Sequence, residues 1–198
     1  MTDQTGEAAP NAVRTSIGDD QPDPDRSDRP IAPGILFAAL TAGAADRPES
    51  RVLDGLVGDW RVTTWWEPIV GHGVREIPSE SRNRWILRGR ALECRNLDPS
   101  GEETARLLLA FDPSVDDYVA FSTTVFSTFF AVERGTYDPT TRSLAVEAVE
   151  PIRIEPFSVR YRRTIEFVSP DFHRSTISYP GAPEGRYGPM TASFERLA

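Results

Sequence analysis

The stretch Phe157-Ser158-Val159-Arg160-Tyr161-Arg162-Arg163-Thr164-Ile165-Glu166-Phe167-Val168 decides the architecture. One series runs Val159, Tyr161, Arg163, Ile165, Phe167, and the positions between carry Arg160, Arg162, Thr164 and Glu166. Successive side chains leave a strand on opposite faces, so a period of two marks a half-buried strand. A helix would bring its apolar residues round at three- and four-residue spacing. The first series therefore faces a core, with an arginine in the middle of it.

The same texture extends in both directions. Candidate strands cover 59–67, 79–87, 90–97, 103–111, 117–124, 128–136, 143–149, 157–168, 172–179 and 190–197. The joints between them are turn chemistry. Asp98-Pro99-Ser100-Gly101 has Pro at the second turn position and Gly at the fourth, a type I signature. Asp112-Pro113, Asp138-Pro139 and Ser169-Pro170-Asp171 open three more turns. Ten short strands at even spacing, joined by tight turns, predict an all-β, antiparallel up-and-down barrel of about eight to ten strands. Closure removes the exposed edges that an open sheet would leave.

Alternation also predicts which side chains line the barrel. On the strands flanking 157–168 the inward series are His173, Ser175, Ile177, Tyr179 and Met190, Ala192, Phe194, Arg196. On the first two strands they are Trp60, Val62, Thr64, Trp66 and Ser81, Asn83, Trp85, Leu87. Strands 117–124 and 128–136 are apolar on both faces and resist orientation. Trp65 and Trp66 cannot both point inward on a regular strand; one faces outward, or a bulge intervenes.

Ahead of the strands, residues 35–41 (ILFAALT) and 49–57 (ESRVLDGLV) read as short helices. In the second, Val52, Leu53, Leu56 and Val57 share a face, and Gly58 supplies a helix stop. Residues 1–33 read as a disordered acidic arm, and 34–198 as one barrel domain. Residues 1–30 carry seven acids against Arg14, Arg26 and Arg29, a net of −4, with almost no large apolar side chains. Such a segment cannot bury enough surface to offset the entropy of ordering it.

Two motifs at opposite ends of the β region resemble the calycin superfamily, which includes lipocalins and fatty-acid-binding proteins. The first strand opens Gly58-Asp59-Trp60, and the last ends Phe194-Glu195-Arg196. The resemblance implies that Arg196 stacks on Trp60 at the closed end of the barrel. The stretch from Leu53 to Leu197 also resembles a bacterial barrel family known as domain of unknown function 1579. The residues carrying this are Leu56-Val57-Gly58-Asp59-Trp60, Leu87-Arg88-Gly89-Arg90-Ala91-Leu92, Ala110-Phe111-Asp112-Pro113 with Asp117-Tyr118-Val119, and Gly135-Thr136-Tyr137-Asp138. Members often show Trp-x-Asp in the strand after the Tyr-Val. Here that strand reads Ala120-Phe121-Ser122-Thr123, without the acidic group.

Composition narrows the function. Formal net charge is −8, and all 22 basic residues are arginine. An acidic chain repels phosphate backbones, so neither nucleic acid nor an anionic membrane is an expected partner. A homodimer is compatible with a barrel of this kind. The N-terminus has no basic region followed by an apolar one, and no stretch has membrane-span length, so a cytoplasmic location is expected. Cys94 stands alone, as a reactive thiol or as a small buried filler. His72 and His173 are the only histidines, and neither belongs to a metal-binding motif, so no metal is expected. In the loop Val70-Gly71-His72-Gly73, His72 reads as an axial haem ligand or as a plain exposed residue. No nucleotide-binding glycine motif and no Gly-x-Ser-x-Gly occurs, and no cofactor is expected.

What remains is an aromatic interior with a few polar groups. Trp66, Asn83, Trp85, Phe130 and His173 are candidate ligand contacts, with Phe126 and Phe129 as further lining. Arg163, Tyr161 and Tyr179 are candidates to hydrogen-bond a reacting group. A closed core seldom keeps an unpaired arginine, whereas a cavity tolerates one; alternatively Arg163 reaches solvent at a mouth or pairs with a carboxylate. Glu93 and Glu133 are the carboxylates that could turn inward, and burial would then raise their pKa. Two functions follow. One is binding of a small apolar, aromatic or polyene-like metabolite in a drug-sized cavity that opens opposite Trp60. The other is a cofactor-free cyclase or isomerase of polyketide-type metabolism that folds its substrate in the same chamber. Deleting residues 1–30 is expected to leave the melting temperature nearly unchanged in calorimetry; a drop of many degrees would mean that the arm docks.

Overall fold

The computed structural model describes residues 47–198 apart from 69, 126–129, 152–157, 181 and 183–186. The proposed arm, the helix at 35–41, Phe126 and Phe129 lie outside these. Ten antiparallel strands close into one barrel: β1 Gly58–Trp66, β2 Arg75–Ile86, β3 Ala91–Leu97, β4 Glu103–Asp112, β5 Asp117–Thr124, β6 Ala131–Asp138, β7 Ser143–Pro151, β8 Ser158–Ser169, β9 Phe172–Ser178 and β10 Met190–Arg196. Each strand pairs with its neighbours in sequence, and β1 meets β10. All ten strands read from the sequence are present.

The turns work through their aspartates. Asp98 Oδ1 accepts from the Ser100 and Glu102 amides at 2.9 and 3.0 Å, and the Gly101 amide bonds the Asp98 carbonyl at 2.9 Å. Asp112 and Asp138 repeat the device on the Ser114 and Thr140 amides at 3.0 and 2.8 Å. These bonds hold the backbone in the turn while the following proline or its neighbours cannot extend the strand.

One end of the barrel is plugged. The segment before β1 forms one α-turn, α1 (Pro48–Arg51), then a 3-10 turn over Val52–Leu56. Leu53 and Leu56 are fully buried against Leu92, Leu109, Phe111, Tyr118, Leu144 and Ile165. Burying a leucine contributes about 1.5–3 kcal/mol, so the short plug holds its place mainly by packing. The Tyr118 hydroxyl ties it down by donating to the Glu49 carbonyl at 2.7 Å. The Leu56 carbonyl, orphaned at the end of the turn, accepts from Trp60 Nε1 at 2.9 Å and from Asn83 Nδ2 at 2.8 Å.

The seam between β1 and β10 has Trp60 opposite Arg196. The Arg196 guanidinium carbon lies 4.3 Å above the Trp60 ring, the stacking that the calycin resemblance implies. Arg196 also donates to the Val57 and Pro170 carbonyls, each at 2.8 Å, and pairs with Asp171 at 3.0 Å. Gly58 owes its identity to this clamp and not to a helix stop. Its φ is +140°, and a Cβ there would collide with Arg196 Nη1.

Two expectations shift. Leu87 does not line the barrel: β2 ends at Ile86, and Leu87 opens the turn at φ +49°, 70% exposed. Trp65 takes the outward position at 38% exposure, with β1 in unbroken register, so no bulge is needed. Gly58→Ala is expected to cost about 2–4 kcal/mol in urea unfolding, since it strains the backbone and displaces Arg196. Gly73→Ala, at φ +90° with open space around it, is expected to cost about 1 kcal/mol, and equal losses at the two sites would refute the clamp.

Candidate functional site

The inward series of β8 supplies the centre of the site. Val159, Tyr161, Ile165 and Phe167 are buried as alternation requires, and the Arg163 side chain is 18% exposed. Strands β5 and β6, which pattern alone left without orientation, turn Tyr118, Ala120 and Ser122, and Ala131 and Glu133, toward the lumen. Glu133 is fully buried and meets Arg163 in a two-pronged pair: Arg163 Nε to Oε2 at 2.8 Å and Nη2 to Oε1 at 3.0 Å. The Ser122 hydroxyl donates to Glu133 Oε1 at 2.7 Å, and the Tyr161 hydroxyl bonds the same carboxylate.

The electrostatics follow from this geometry. Burial alone would raise the Glu133 pKa, as expected from the sequence. The Arg163 charge and the hydrogen bonds from Arg163, Ser122 and Tyr161 outweigh it and hold the carboxyl below the usual glutamate range. Glu133 is therefore an anion, not a raised-pKa acid. Burial works against the Arg163 charge, but Glu133 more than compensates and its pKa rises. Burial, with the Glu133 charge behind it, raises Tyr161 and keeps it a neutral phenol. Of the readings open for Arg163, the carboxylate partner is present, and Arg163 also borders a cavity.

A cavity of about 150 Å³ occupies the lumen beside this pair. Arg163 and Ser122 form part of its wall, with Leu107, Ile165, Ile177 and Phe194 among its apolar surfaces. Asn83 and His173 lie toward the plugged end, and Met190 toward the other. The volume falls short of the roughly 300–1,000 Å³ of drug-sized pockets, which corrects the drug-sized expectation. Cys94 also reaches the cavity, and burial pushes its thiol up to about 12, against a smaller opposing pull from Arg163. It is a thiol, not a thiolate, and behaves as a filler.

The other predicted residues distribute as follows. His173 is 3% exposed, stacked on Phe194 with centroids 4.3 Å apart and edge-on to Trp60 at 4.4 Å. Among the described residues its Nδ1 has no hydrogen-bond partner. Burial, aided by the Arg196 charge, lowers its pKa to about 3, so it is a neutral ring. Asn83 is buried; besides its bond to Leu56 it accepts from the Ser81 hydroxyl at 2.7 Å. Trp85 does not reach the cavity wall; it packs on the plug cluster and donates Nε1 to Asp54 at 2.8 Å. Phe130 is 71% exposed just before β6, outside the lumen, where the strand's inward positions are Ala131 and Glu133. Tyr179 stands beyond the cavity, with its ring 6.5 Å from that of Tyr161 and 5.6 Å from that of Tyr187. Trp66 is half-buried at the far end of β1 and does not line the cavity. His72 is exposed in the β1–β2 connection, and Glu93 faces outward to Arg106 at 3.2 Å. Among the described residues, no three His, Cys, Asp or Glu side chains gather as metal donors, and no helix is long and apolar enough to cross a membrane.

The family model described as protein of unknown function (DUF1579) matches residues 46–196. The chain belongs to the DUF1579 family. Its match spans the plug and all ten strands of this DUF1579 barrel. No curated protein matches the sequence. The crystal structure of Rv2717c from M. tuberculosis aligns at a TM-score of 0.51 and 13% identity, covering 77% of this chain and 99% of that one. The structure of EF1p2_mFAP2b bound to DFHBI aligns at 0.33 and 14%, covering 75% and 99%. The first likeness supports the barrel fold.

His173 gives the DUF1579 barrel a readable acid response. The unfolded histidine takes up a proton near pH 6.5 and the folded one only near 3, so between these values the unfolded chain binds more protons and acid destabilises the fold. Glu133 is held below the usual glutamate range and so stays charged between pH 7 and 5. His173→Phe, which keeps a ring between Trp60 and Phe194, is expected to shrink the loss of unfolding free energy from pH 7 to pH 5 by about 2 kcal/mol. An unchanged pH dependence in denaturant titrations would show that His173 is protonated in the fold.

Proposed function

We infer that this barrel binds a compact, mostly apolar molecule in its lumen. The observation that carries the reading is the cavity of about 150 Å³ between the plug and the far end, where apolar side chains such as Leu107, Ile165, Ile177 and Phe194 supply most of the surface and short polar side chains are interspersed among them. Closed cores pack to the density of organic crystals and leave few voids larger than a water. Apolar cavities of about this size, made in other proteins by trimming a core side chain, take up benzene. The size favours a single-ring ligand over a polyene. A cyclase that folds a polyketide-like chain needs a chamber several times larger, and of its candidate catalytic groups Arg163 and Tyr161 are engaged with Glu133 while Tyr179 stands beyond the cavity.

Binding is the function this geometry serves, with the apolar side chains packing on the guest and the polar ones orienting it. The test is a titration with toluene, followed through the methyl resonances of Leu107, Ile165 and Ile177. Saturable shifts confined to these residues are expected. Shifts spread evenly over outer-wall valines such as Val132 and Val149, or none at the solubility limit of toluene, would overturn the reading.

A further inference from the structure

The buried pair sets the chemistry of the guest more narrowly than the cavity walls do. A guanidinium carries five N–H donors in one plane. Nε and Nη2 each give one to Glu133, and the nearby Tyr161 hydroxyl can take one more. Among the described residues, that leaves at least two of the five donors. Neither bond to Glu133 uses Nη1. Arg163 is also the charged member of the pair that the cavity touches: its side chain is 18% exposed, whereas Glu133 is 0% exposed and turned away. The carboxylate itself is saturated, with Arg163, Ser122 and Tyr161 all on its two oxygens.

The pair therefore shows the lumen hydrogen-bond donors but no net charge. A guest with a carbonyl or similar neutral acceptor would meet those donors at no cost in charge. An anionic guest would bring a second negative charge to a guanidinium already neutralised, and would give up hydration that the net-neutral pair does not replace. A cation would meet the positive end of the pair. A guest without an acceptor would leave the remaining N–H groups unmet.

Resting on the binding reading above, we propose that the lumen is a site for a neutral single-ring molecule bearing a carbonyl-type acceptor, oriented by the outer edge of the Arg163 guanidinium. Glu133, Ser122 and Tyr161 are positioning residues: they hold that edge in place and cancel its charge. The ring lies against Leu107, Ile165 and Phe194.

The experiment compares toluene, benzaldehyde and benzoate on the full chain, by the same methyl titration. Benzaldehyde is expected to bind roughly tenfold or more tighter than toluene, the effect of one hydrogen bond from a charged donor, and benzoate is expected not to bind. Equal affinity for toluene and benzaldehyde would overturn the acceptor assignment while leaving the binding reading intact. So would tighter binding of benzoate, which would mark the site as one for anions. If none of the three shifts the lumen methyls, the binding reading falls and the assignment with it. A second arm uses Glu133→Gln with Arg163→Met together, because removing either partner alone strands a buried charge. In a folded double variant, the preference for benzaldehyde over toluene is expected to vanish, whatever the change in toluene affinity itself. A preference for benzaldehyde that survives the loss of the guanidinium would overturn the proposal; should the double variant not fold, the three-probe comparison on the natural chain decides alone.

Discussion

A barrel exists only where its first strand meets its last, and here the meeting is held by Arg196 on Trp60. The guanidinium reaches three parts of the chain at once: the Trp60 face on β1, the Val57 carbonyl at the exit of the plug, and the β8–β9 turn through the Pro170 carbonyl and Asp171. Trp60 in turn gives its indole hydrogen to Leu56. The seam, the plug and a distant turn are thus fixed by two side chains, and the plug can be short because it is anchored at the seam. Arginine suits this position because its planar fork can stack and donate in several directions together; a lysine ammonium could do one or the other.

From that closed end the interior is built in layers. Leucines and aromatics fill the barrel next to the plug, and a smaller cluster of Ala131, Ala148, Tyr161 and Ile177 occupies the other side. The Glu133–Arg163 pair lies between. Each charge would be untenable alone in such a place, since an unpaired buried ion costs several kcal/mol. Together, with Ser122 and Tyr161 completing the hydrogen bonds, they form the charged but net-neutral element of the lumen. Burial and pairing pull the Glu133 pKa in opposite directions, and pairing wins because three donors converge on one carboxylate.

Much of this was legible in the sequence for a definite reason. Where one face of a strand is wet and the other dry, alternation reports the facing, and β1, β8, β9 and β10 obey it from Trp60 to Phe194. Turn residues reported the joints because Asp-Pro chemistry acts locally. Alternation failed where the polarity of the two faces is reversed. On β6, Val132 is 47% exposed while Glu133 is fully buried; on β5, Phe121 is 46% exposed while Ser122 turns in. Hydrophobicity read strand by strand assigns such a wall backwards. The usable signal was long-range: an inward Arg163 needs an inward carboxylate, and Glu133 was one of only two carboxylates still without a facing. The aromatic chamber failed differently. Trp85 and Phe130 were grouped with Trp66 by residue type, but the plug claims Trp85 through Asp54 and the approach to β6 turns Phe130 outward.

The cavity itself follows from side-chain length. Eight strands enclose a space that ordinary side chains just fill, and ten enclose a wider one. Filling it takes large residues at every level, as near the plug, where Leu53, Leu92, Leu109 and Leu144 are all fully buried. At the level of the ion pair the inward positions include Ser81, Cys94, Ala105, Ser122 and Ser175, all of them cavity wall. Each is too short to reach across a ten-strand barrel. Arg163 is the long side chain at this level, and it is bent back to the wall by Glu133 rather than extended across the lumen. The same ion pair that makes a buried arginine tolerable therefore keeps the space beside it open, and the polarity of the site and its emptiness have a single cause.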